Sequence, residues 1–78
     1  MVINSELEKE IISLIQIFKN NLYDKVIEKA IILHKQNKNI SVFPNLIGAS
    51  YAGKNDHKNA IVFYKQALDL DYSNTEII

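Results

Sequence analysis

The chain of 78 residues contains no cysteine, no arginine, one proline and two glycines. Without cysteine there is no disulfide framework and no zinc–thiolate site. Without arginine there is no planar fork to grip a phosphate, a carboxylate or a guanine edge with paired hydrogen bonds. Neither sign of charge is in excess: nine lysines face nine acids, for a net charge of zero. That balance removes any general attraction to nucleic acid or to an anionic membrane surface, so neither is expected as a partner. No uncharged run approaches the roughly 20 residues that cross a bilayer. The stretch Met1–Glu10 has no basic region leading into an apolar core, so it does not read as a signal peptide. The default compartment is therefore the cytoplasm. With 47% hydrophobic and 23% charged residues, the chain is too apolar for disorder. Its length allows one domain, close to the lower limit for a self-sufficient core.

The apolar periodicity is helical throughout. Ser5 with Glu8 forms a capping box, and Glu6, Glu8 and Glu10 complement the positive start of a helix. This first helix is expected to run to about Lys19, with more apolar surface than one packing stripe requires. Asn20-Asn21 should stop it, because asparagine tolerates the left-handed conformation of a helix end. A second helix is expected from about Leu22 to Gln36, with Val26, Ile27, Ala30, Leu33 and His34 along one face. Pro44 belongs in the first turn of a third helix, where its missing N–H costs little, and Phe43 before it is biased away from helical geometry. The third helix should end near Ala52 or Gly53. Asp56 is placed to cap a fourth, from there to about Leu70. Ser73 and Glu76 make another capping box, which predicts the start of a fifth helix.

The segment Ile47–Leu70 organises the rest. Gly48 has no side chain on the third helix, and Ala60 and Ala67 offer only methyl groups on the fourth. Tyr51 and Tyr64 are sized to fill the space left between them. The order Ile47-Gly48, Tyr51, Asn55-Asp56, Ala60, Tyr64, Ala67-Leu68 resembles a tetratricopeptide repeat, a helix-turn-helix unit with a 34-residue period. Pro44 stands where that family often has tryptophan, and Tyr72 where it has a terminating proline. One period earlier, Ile17 falls on Tyr51, Asn21 on Asn55, Tyr23 on His57, Val26 on Ala60, Ile27 on Ile61, Ala30 on Tyr64 and Leu33 on Ala67. The last two pairs exchange large for small. Residues 7–40 then form a degenerate first repeat, 41–74 a second, and 74–78 the start of a capping or third-repeat helix. The resemblance implies an all-α fold of four helices, with a short fifth, stacked as a short right-handed α-solenoid.

Candidates for chemistry are few. Asp56-His57 could be read as an acid–base pair, but the family places a packing aromatic at position 57, so packing is the stronger expectation. His34, at a helix end, suits the dipole. Asp69 and Asp71 have no His or Cys near them, so a solvated helix terminus is expected rather than a metal site. Gly48 and Gly53 follow no strand, so they form no phosphate-binding loop. No nucleophile–base set stands out. Neither catalysis nor a cofactor or metal is expected.

Binding is the remaining class. The resemblance implies a concave groove lined by Ile11, Ile15 and Phe18 from the first helix and Asn45, Ala49 and Ala52 from the third. That groove is mostly apolar, and Asn45, both donor and acceptor, suits the backbone of an extended peptide. Packing of the same residues against a neighbouring helix is an equal expectation. Gly48, Tyr51, Ala60, Tyr64 and Ala67 are assigned to packing within the repeat. The expected partner is thus a protein or peptide, held without catalysis. Two other classes stay open: an N-terminal accessory domain of a longer enzyme, such as a sulfotransferase or glycosyltransferase, and a self-assembly module. Surplus apolar residues on the terminal helices also predict a homodimer through those faces.

Overall fold

The computed structural model describes the backbone of residues 5–77 and the side chains of residues 5–70. It contains four helices: α1 (Ser5–Lys19), α2 (Tyr23–Gln36), α3 (Val42–Gly53) and α4 (His57–Ile77). Neighbours pack antiparallel in sequential order. α3 is the hub, touching α1, α2 and α4, and among the described residues α4 packs chiefly on α3. The sequence explains this arrangement. Half of the twelve residues of α3 are buried, namely Phe43, Pro44, Leu46, Ile47, Gly48 and Ser50, and α3 carries no charged side chain that would need water.

Both asparagines at the helix stops adopt the left-handed conformation, Asn21 at φ 62° and Asn55 at φ 64°. Each sits in the same hydrogen-bonded turn. The Leu22 N–H reaches back to the Ile17 carbonyl at 3.3 Å, and the Asn21 N–H to that of Phe18 at 2.9 Å. After α3, the Asp56 N–H reaches the Tyr51 carbonyl at 2.9 Å and the Asn55 N–H reaches that of Ala52 at 3.0 Å. This paired pattern is a Schellman stop, which satisfies carbonyls that the helix end would otherwise leave unbonded. The starts of the following helices differ. Asp56 accepts the Asn59 N–H at 3.2 Å and its side-chain amide at 2.8 Å, so α4 is capped. Leu22, at the equivalent place before α2, makes no such bond.

The core gathers Leu14, Val26, Ile27, Ala30, Ile40, Phe43, Leu46 and Ile47. Phe43 is fully buried and helical, contrary to the bias expected of a residue before proline. Burying a phenylalanine stabilises by about 1.5–3 kcal/mol, enough to override a local preference. Pro44 lies in the first turn of α3, where its lost donor had no partner within the helix.

The expected break after Leu70 does not form. α4 continues as one helix to Ile77, so no fifth helix starts at residue 74 within the described residues. No glycine or proline interrupts this stretch, and Tyr72, unlike proline, can donate its N–H to the ladder.

Candidate partner-binding face

Ile11, Ile15 and Phe18 share one side of α1 at i, i+4, i+7 spacing, and Asn45, Ala49 and Ala52 repeat that spacing on α3. α1 and α3 touch, so the two rows lie on neighbouring helices and together are the candidate face. Asn45 is exposed, and the other five are half-buried. Ile11, Ile15 and Phe18 also lean on the core, so part of their surface is already used in packing.

The residues assigned to packing lie between α3 and α4. A Cβ added at Gly48 would sit 2.8 Å from the Tyr64 ring and 3.1 Å from the Ala60 carbonyl oxygen. The two helices therefore meet there through backbone, methyl and ring. Ala60 and Ala67 are buried, at 3% and 5% exposed, while Tyr64 remains 39% exposed. The Tyr64 ring occupies the space that Gly48 leaves, and the Tyr51 ring stacks on Phe63 of α4, with centroids 5.8 Å apart and planes 17° off parallel. Phe63 went unnoticed in the sequence, although it lies three residues after Ala60 and four before Ala67, on their side of the helix.

Tyr23 joins the first turn to the end of α3. Its ring meets Phe18 edge-on at 5.5 Å, and its hydroxyl donates to Asn21 Oδ1 at 2.8 Å. A Cβ on Gly53 would come within 2.5 Å of this ring, so Gly53 gives Tyr23 its seat. Beside it, the Lys54 ammonium pairs with Asp24, and this contact raises the lysine pKa. His57, which the resemblance aligns with Tyr23, is exposed instead of packed between helices. What Tyr23 packs on is α3, and α4 has no following helix among the described residues to serve His57.

Two clefts lie away from the α1–α3 face. One, of about 420 Å³, is lined by His34, Lys35, Lys38, Gln66, Asp69 and Leu70. The other, of about 640 Å³, lies between the start of α1 and the end of α2, along Glu6, Leu7, Leu33 and Asn37. In the first, the His34 Nε2 faces Gln66 Oε1 at 3.2 Å, and its Nδ1 is buried without a partner. Ser50 Oγ is likewise buried and unpartnered. Asp56 has its carboxyl held below the usual carboxylate range, first by the Asn59 side-chain amide and then by the Asn59 N–H. Among the described residues no group of three or more His, Cys, Asp or Glu could hold a metal ion. No described helix is long and apolar enough to cross a membrane. No protein-family model, curated protein or solved structure matches the chain.

Proposed function

We propose that this chain is a non-catalytic interaction module built from two tetratricopeptide-like repeats, the first degenerate, stacked as a short solenoid. It takes an extended peptide or a partner helix along the α1–α3 face. The observation carrying this reading is the recurrence of one hydrogen-bonded turn, with its left-handed asparagine, a full period apart. Repeated hairpins set side by side align corresponding helices, which makes a shared binding face the natural use of such a stack. Apolar contacts from Ile11, Ile15, Phe18, Ala49 and Ala52 supply burial, and Asn45 fixes the register of the bound backbone.

The test is a selection of binders from a random peptide library, followed by mapping of the selected peptides through amide chemical shifts. The reading expects shifts at the six positions of the face. It also expects affinity to fall with Asn45→Ala and with Ala49→Glu. Shifts confined to the cleft around His34 and Gln66, or affinity indifferent to both substitutions, would rule it out.

A further inference from the structure

The two ends of the helical stack are chemically unlike. On α3, the buried residues Phe43, Leu46, Ile47 and Ser50 face into the stack. One period earlier, the same positions on α1 are Lys9, Ile12, Ser13 and Gln16, and all four are exposed. The outer side of α1 is thus mostly polar. α4 is the reverse. Ile27 and Ala30 of α2 are 8% and 0% exposed, while their counterparts Ile61 and Tyr64 are 53% and 39% exposed. Leu68, the counterpart of half-buried His34, is 65% exposed.

We propose that the outer face of α4 is a two-fold interface, on which α4 of a second copy packs antiparallel. Ile61, Tyr64, Lys65 and Leu68 follow the i, i+3, i+4, i+7 spacing of a single stripe, with an aliphatic side chain at each end. A stripe of that form complements itself. A two-fold axis passing beside Tyr64 and Lys65 sets Ile61 on the partner's Leu68, and the symmetric contact follows. The two Tyr64 rings come together on one flank. On the other flank Asp69 comes alongside the partner's Lys58, twice by symmetry, and the long Lys65 side chain extends to water. Lys58, Lys65 and Asp69 are all exposed and available for this. Head-to-tail stacking would instead lay Ile61 and Leu68 against a face of Lys9, Ile12, Ser13 and Gln16, three of them polar. It would oppose apolar to polar surface, and it forms an open chain where the two-fold contact closes. None of these α4 residues belongs to the α1–α3 face, so the interface stands apart from the peptide-binding reading.

Sedimentation equilibrium of the full chain from micromolar to millimolar concentration tests it. The set comprises wild type, Leu68→Lys, Asp69→Lys and the double exchange Lys58→Glu with Asp69→Lys. All three sites are exposed, and circular dichroism checks that each variant stays folded. The expected result is a monomer–dimer equilibrium without larger species, weakened about tenfold or more by Leu68→Lys. Asp69→Lys should also weaken the dimer, and adding Lys58→Glu to the same chain should recover most of that loss. A strict monomer at millimolar concentration overturns the proposal and leaves the face to a different partner. A ladder of larger species overturns it in favour of head-to-tail stacking. So does a dimer that ignores either Leu68→Lys or the charge exchange.

Discussion

Gly48→Ala sets two opposed effects at one atom. In a helix interior, alanine is favoured over glycine by about 1 kcal/mol. Against that, the new methyl would lie 2.8 Å from the Tyr64 ring and 3.1 Å from the Ala60 carbonyl oxygen. Overpacking of this kind costs about 1–3 kcal/mol. The two contacts differ in how they yield. The ring contact, at 2.8 Å, is the tighter one and must give, whereas the Ala60 carbonyl, at 3.1 Å, needs only a small adjustment of the α4 backbone. The net expectation is a loss of about 1 kcal/mol, the difference of those two ranges near their middle. In a domain of this size that lowers Tm by about 4–8 °C. In a Tyr64→Ala background the ring overlap is gone, and Gly48→Ala should become close to neutral. Urea unfolding of wild type, both single variants and the double variant yields the coupling, expected at about 1 kcal/mol or more. If Gly48→Ala raised Tm equally in both backgrounds, the close approach of α3 and α4 at Gly48 would be refuted.

Asn21 and Asn55 hold the same left-handed place in equivalent turns, so Asn21→Ala and Asn55→Ala should each cost about 1–2 kcal/mol, while glycine at either site should be tolerated. Thermal melts that separate the two sites widely would argue that the turns are not equivalent. Asp56→Ala should lower Tm at neutral pH by removing the cap on α4, and the effect should depend on acidity. The folded carboxyl titrates below its unfolded value, so its contribution is complete above the ordinary carboxylate range. It is lost as pH falls through the lowered folded value. The melting curves of variant and wild type should therefore converge in acid, and a gap that stayed constant with pH would exclude the charged cap.

Local chemistry settled much of this molecule before any tertiary contact was known. The helical character of each segment follows from apolar period, the stops from asparagine's tolerance of positive φ, and the start of α4 from an aspartate that accepts the N–H of Asn59 in its first turn. These are properties of a few adjacent residues, so they are legible along the chain. The small residues Gly48, Ala60 and Ala67 were legible for the same reason, because a missing side chain marks close approach whatever the neighbour is. Other features depended on residues far apart in sequence. Phe43 is helical because the assembled core takes its ring, and no local preference predicts that. Tyr51 finds its stacking partner in Phe63, since side-chain partners follow from how α4 is rotated against α3. Tyr23 packs on Gly53 while His57 stays exposed, although the resemblance aligns the two. α4 runs past Leu70 because capping residues stop a helix only where the backbone already turns, and nothing in that stretch makes it turn. The candidate face of Ile11, Ile15, Phe18, Asn45, Ala49 and Ala52 came from the resemblance to a repeat family and not from spacing. How much of each side chain the core consumes was decided by packing, because burial belongs to the assembled helices and not to any one of them.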